Sequence, residues 1–202
     1  PENAQTAVIE MAAAAGLWLV PEKERNPLYT TTYGVGELIL HALSKGCRTF
    51  LIGIGGSATN DAGMGMLSAL GFEFLDSQGR ETGLCGKDLE RVAFISDMGK
   101  HSLLDQCTFR IACDVTNPLC GPQGAAYVYG PQKGATPEDV LVLDNGLCHF
   151  SQVAAKKFPR LPESPANKDI PGAGAAGGLG FAFLQFLNGR LESGAGMIMD
   201  AI

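Results

Sequence analysis

Residues 51–63 read LIGIGGSATNDAG, and this stretch decides the fold. Its apolar opening, with CRTF before it, has the β-branched and aromatic content of a buried strand. The strand breaks into Gly53, Gly55 and Gly56, and Ser57, Ala58, Thr59, Asn60 and Asp61 follow. A loop that only reverses the chain needs one or two such residues. MGMLSALG at 64–71 then has helix-forming composition and a glycine stop. Strand, glycine-rich loop and helix are the local layout of an anion site in an α/β protein. Glycines let backbone N–H groups approach a phosphate or carboxylate closely. The loop is no Walker A motif, because no Gly-Lys-Ser/Thr follows. A tight turn capped by Asn60 or Asp61 is the competing reading.

The flanks fit the same class. TAVIEM at 6–11 reads as a short strand running into the Ala-rich, helix-favouring stretch 12–16. GVGELILHALSK at 34–45 has apolar residues at helical spacing, with Gly46 as its stop. FRIAC at 109–113 is another strand, ending at Asp114. Thr136-Pro137-Glu138 opens a long helix whose apolar positions 140, 143, 147, 150 and 154 fall on one face. Four prolines between 159 and 171 mark an irregular crossing, and FAFLQFLNG at 181–189 reads as a core helix. These elements predict an α/β fold, with a mixed or parallel sheet and helices on both faces.

Composition excludes several functions. The 202 residues carry a formal net charge of −6 and no basic stripe, which argues against nucleic-acid binding. No apolar run of membrane-spanning length and no charged-then-apolar leader occurs. Gly makes up 27 residues, roughly twice the usual ~7% share. The six cysteines are scattered without a CxxC pair, so reduced thiols in a cytoplasmic protein are expected, not a disulfide set or zinc site.

Other candidates follow from position. Asp114, at the end of a strand, is placed to take a proton from a hydroxyl or to hold magnesium; an Asx turn with Asn117 is the plain alternative. Lys133 in GPQKGA is a phosphate contact or a solvated surface lysine. Thr31 and Thr32 are hydroxyl ligands or helix caps. Gly172 to Gly177 match GxGxxG, yet NKDIP precedes them in place of a strand, so the dinucleotide reading fails. A second anion-binding helix start at Gly174, or close packing of that helix, remains.

Six strings in order, IEMAAAAGL, NPLYTTTYGVGELI, LIGIGGSATNDAGMGML, ACDVTNPLCGPQGAA, YGPQKGATPE and GAGAAGGLG, resemble the bacterial type-1 glycerate kinases. The resemblance runs from about residue 6 to residue 202. It implies ATP-dependent, Mg2+-assisted phosphorylation of D-glycerate in the cytoplasm, and it leaves a homo-oligomer open. Residues 1–202 then form the central α/β domain of a longer two-domain protein. Asp61, Asp114 and Lys133 become the catalytic candidates, with Asp114 as the Mg2+ ligand. Gly55, Gly56, Ser57, Ala58, Thr59 and Asn60 become the phosphate or carboxylate cradle. Thr31, Thr32, Asn117 and Gly174 become further substrate contacts. A non-catalytic anion-binding lobe is the main competing reading, and a dehydrogenase is the weaker one.

Overall fold

In the computed structural model, which describes residues 5–159 and 167–196, the chain opens with strand β1 (Gln5–Glu10) and the single turn α1 (Ala12–Ala15). Next come α2 (Tyr33–Ser44), β2 (Cys47–Gly53) and α3 (Met64–Ala69). A hairpin of β3 (Glu73–Leu75) and β4 (Phe94–Ser96) precedes β5 (Thr108–Ala112). The chain continues through α4 (Ala125–Tyr129), α5 (Pro137–Lys157), α6 (Ala175–Phe186) and β6 (Arg190–Glu192). The main sheet is four-stranded, in the order β1-β2-β5-β6, and every pair in it is parallel. This is the expected α/β class with a parallel sheet, but among the described residues the helices that connect its strands pack on one face of it, where the sequence predicted both.

The sequence patterns explain the elements. Val35, Ile39 and Leu43 form the buried stripe of α2, and Gly46 ends it in a left-handed conformation (φ 90°). In α5 the Thr136 hydroxyl accepts from Asp139 N (3.2 Å), and the Asp139 carboxylate accepts from Thr136 N (2.9 Å). All five apolar positions expected on one face, Val140, Leu143, Leu147, Phe150 and Ala154, are buried. Phe50 of β2 stacks on Phe109 of β5 with ring centroids 4.9 Å apart. Each such buried side chain contributes about 1.5–3 kcal/mol. The helices and the face of the sheet that carries these rings share one apolar cluster.

Two other sequence readings change. Cys120 and Cys148 form a disulfide, overturning the expectation that all six cysteines are reduced thiols. The loop before α4 lies against the middle of α5, where Gly121 N also donates to Asp144 Oδ1 (2.8 Å). Spacing along the chain does not encode that approach. Cys47, Cys85, Cys107 and Cys113 are free thiols. The helix read at 181–189 is the main body of α6, which ends at Phe186. Of the proline-rich crossing, residues 160–166 lie outside the described residues.

Candidate active site

The loop after β2 is built around Asp61. This carboxylate is wholly buried and accepts four hydrogen bonds. Thr32 N and Thr32 Oγ1 each donate to Oδ2 at 2.7 Å, Gly65 N donates to Oδ2 at 3.2 Å, and Gly63 N donates to Oδ1 at 3.1 Å. Met66 N completes the knot by donating to Thr32 Oγ1 (2.9 Å). The first amides of α3 are thus taken by Asp61 and Thr32, so the helix start is closed from within. Burial pushes the Asp61 carboxyl up, against the downward pull of its donors. Asp61 does not reach the surface; it braces the loop.

The amides available for an anion lie just upstream. Leu17 N donates to Gly56 O (2.8 Å) and Ala58 N to Ala15 O (2.9 Å), pinning the loop to the end of α1. Gly55, Gly56 and Ser57 have no acceptor for their own N–H groups among the described residues. Gly56 is left-handed (φ 69°), a conformation costly for other residues. A Cβ on Gly55 would meet nothing, so that side of the loop is open.

Beneath the loop lies Lys133, only 2% exposed. Its ammonium donates to Ser57 Oγ (2.7 Å) and to the carbonyl of Thr59 (2.7 Å). Removal from water lowers the Lys133 pKa to about 7, while the Asp61 carboxylate pulls it back up. A lone lysine in GPQKGA reads as solvated surface on base rates; here it is the buried floor of the loop.

These groups surround a cavity of about 430 Å3. One wall is 54–57, a second is Ala112 to Val115 at the end of β5, and Tyr129, Gln132, Lys133, Ala175 and Ala176 close the rest. Its position outside the carboxyl ends of parallel strands is the usual crevice of this architecture. Of the sequence candidates, Gly55, Gly56, Ser57, Asp114 and Lys133 line it. Asp114 is exposed, and its Oδ1 accepts from Ser193 Oγ (3.1 Å) and Gly194 N (3.0 Å). Burial raises the pKa of Cys113 beside it, which keeps that group a neutral thiol.

The remaining candidates sit behind this surface. Ala58, Thr59 and Asn60 are buried, and the side-chain atoms Thr59 Oγ1, Asn60 Nδ2 and Asn60 Oδ1 have no hydrogen-bond partner among the described residues. Thr31 Oγ1 accepts from Tyr33 N (3.3 Å). Asn117 accepts from Tyr129 Oη (2.6 Å) and donates to Gln123 O (2.8 Å), so it orients Tyr129 at the cavity wall. Gly174 and Gly177 serve close packing. A side chain on Gly177 would strike the Thr59 carbonyl, and one on Gly174 the Pro118 carbonyl. Ala62 N donates to Gly177 O (3.0 Å), tying the start of α6 to the loop. Sequence reasoning missed Tyr129 and Gln132, although both lie inside the distinctive string YGPQKGATPE.

Comparison with known proteins identifies the family. The glycerate kinase family model matches residues 1–202. Over 200 residues the chain is 48% identical to glycerate 2-kinase of Escherichia coli K12, covering 99% of this chain and 51% of that protein. It is 49% identical over 200 residues to glycerate kinase of Bacillus subtilis 168, again 99% of this chain and 51% of the relative. A solved glycerate kinase 2 from Salmonella typhimurium LT2 superposes with a TM-score of 0.92 at 46% identity, over 97% of this chain and 51% of the other. The chain spans about half the length of the curated relatives it matches. It belongs to the glycerate kinase family.

Proposed function

We propose that this chain carries the phosphate-handling part of a glycerate kinase site, and that the protein transfers the γ-phosphoryl group of ATP to D-glycerate. One observation supports this most: the unpartnered amides of Gly55 to Ser57, the buried Lys133 and the Asp114 carboxylate meet in one cavity. Phosphoryl transfer asks little covalent chemistry of a protein; it asks for alignment and for neutralisation of charge.

In this reading the amides of 55–57 receive anionic oxygens. Lys133 supplies positive charge under the same loop and holds Ser57 and Thr59 in place. A bound anion stabilises its protonated form. Asp61 is a positioning residue, acting through the loop. Asp114 faces the acceptor, where its free oxygen either orients the glycerate hydroxyl and takes its proton or holds a metal ion beside it.

The residues present fit a Mg2+ ion. Asp114 is the one carboxylate among the described residues lining the cavity, and one or two carboxylates plus substrate phosphates are the usual ligands of Mg2+. In the second of its two roles Asp114 would hold the ion, which supplies neutralisation of phosphate charge when bound. A cytoplasmic location goes with the use of ATP. No helix among the described residues is long and apolar enough to cross a membrane.

The test is glycerate-dependent ADP release with ATP and Mg2+. Phosphoglycerate formation that Asp114→Asn abolishes supports the reading. Binding of ATP or glycerate by the folded chain without turnover leaves it an anion-binding lobe. Failure to bind either ligand overturns the assignment of the cavity.

A further inference from the structure

The two faces of the main sheet are unlike. Parallel pairing aligns Ala7, Phe50 and Phe109 on one face, and with them Ile9, Ile52, Ile111 and Leu191. Both phenylalanines and all three isoleucines are buried. The other face carries Thr6, Thr49 and Thr108 in one row. A second row is Val8, Leu51, Arg110 and Arg190, and a third is Glu10, Gly53, Ala112 and Glu192. Not one of these eleven residues is buried, and Val8 is 73% exposed.

Parallel sheets are almost always covered on both faces. The topology explains the asymmetry. The order β1-β2-β5-β6 advances in one direction along the sheet. Right-handed crossovers that all step the same way deliver every connecting helix to the same side. A second layer therefore cannot come from the segments that join these strands.

We propose that the open face is a docking surface for a helical layer supplied by the half of a glycerate kinase polypeptide that this chain does not span. The inference rests on family membership and not on the catalytic roles assigned above. The relatives carry about as much chain again beyond the matched region. The chemistry suits burial. Val8, Leu51 and Ala112 form an apolar centre. Among the described residues a strong charge pair is already matched within the sheet: Arg110 Nε and Nη2 donate to Glu192 Oε2 at 2.9 and 2.6 Å. A neutralised bidentate pair tolerates desolvation far better than a lone charge does. Glu10 and Arg190 stand at opposite edges of the face, where they meet the rim of a partner. Ala112 belongs both to this face and to the catalytic cavity, so the docked layer borders the open side of the site. With it in place the sheet has helices on both faces.

The experiment follows alkylation of single introduced cysteines by mass spectrometry. Val8→Cys and Leu51→Cys are placed in this 202-residue chain and in a chimera where it replaces the matched half of the Escherichia coli glycerate 2-kinase. Met98→Cys, at a position 95% exposed beyond β4, serves as the control. The expected result is labelling at 8 at least tenfold slower in the chimera, with equal rates at 98. Equal rates at 8 overturn the proposal. So does slow labelling of the isolated chain that speeds up on dilution, which places a second copy on the face. If the chimera fails to fold, labelling is read in the Escherichia coli enzyme at the residues aligned with Val8 and Leu51, where fast labelling overturns the proposal and protection supports it. None of these readouts depends on turnover, so this inference and the kinase reading can fail separately.

Discussion

The loops that leave β2 and β5 emerge from neighbouring parallel strands at the same end of the sheet, yet they use their carboxylates in opposite ways. Asp61 is turned inward and saturated by four donors, while Asp114 stays exposed and, among the described residues, accepts hydrogen bonds only from Ser193 and Gly194. A carboxylate that has given its lone pairs to the fold has few left for a ligand. One that keeps an oxygen free can serve chemistry. The contrast makes Asp61 a brace of its loop and leaves Asp114 as the carboxylate open to the proposed chemistry.

Asp61→Ala is the severest way to break the comparison. It strands Thr32, Gly63 and Gly65 without their acceptor, and a loss of about 3–5 kcal/mol in urea unfolding is expected. Asp114→Ala should stay within about 0.5 kcal/mol of the parent chain. Equal losses would erase the distinction. Turnover should sort the pair the other way: Asp114→Asn is expected to lower it about 100-fold, roughly 2.7 kcal/mol, with the unfolding midpoint unchanged. A drop below about tenfold removes Asp114 from the chemistry.

Gly177→Ala sharpens the contrast, because Gly177 packs under the Asp61 loop. With φ at 67° and the Thr59 carbonyl in the way, the change should cost about 1–3 kcal/mol in urea unfolding and weaken anion binding together with stability. A neutral outcome would mean that the loop is not held by α6.

The smallest effect is in pH. Lys133 has a folded pKa of about 7, below the ordinary 10.5. Between those values the unfolded chain holds a proton that the folded chain lacks, so this group makes stability rise with pH across that window. Anion binding runs the opposite way. Affinity for inorganic triphosphate should fall as pH rises through 7, up to tenfold per unit, with proton uptake on binding seen by calorimetry. Lys133→Met should abolish that dependence, and a flat profile in the parent chain would show that Lys133 stays charged throughout.

Much of this was legible in the sequence. The strand at 47–53, the stripe of α2 and the capping residues of α5 declared themselves through periodicity and chemistry. So did the glycine-rich loop. What stayed hidden depended on direction or on distance along the chain. Nothing in SATND says that Asp61 points in while the amides of 55–57 face out. Strands β3 and β4, of three residues each, are too short to show a period. Lys133 was found as a cation but not as a buried one, since its burial comes from Ser57 and Thr59, more than seventy residues away. The alternation in Phe109-Arg110-Ile111 did carry a sign of a half-covered sheet, visible once the register is known.

The glycines at the start of α6 have one more consequence. Gly177 and Gly178 bring backbone against backbone at Thr59 and Ala62, so the loop and the helix move as one body or not at all. If the loop takes a phosphate as proposed, a cradle fixed in this way would already be in its bound shape before the ligand arrives. Little configurational entropy would then remain to be lost on capture, and ligands that match its geometry would be favoured over those that merely carry charge.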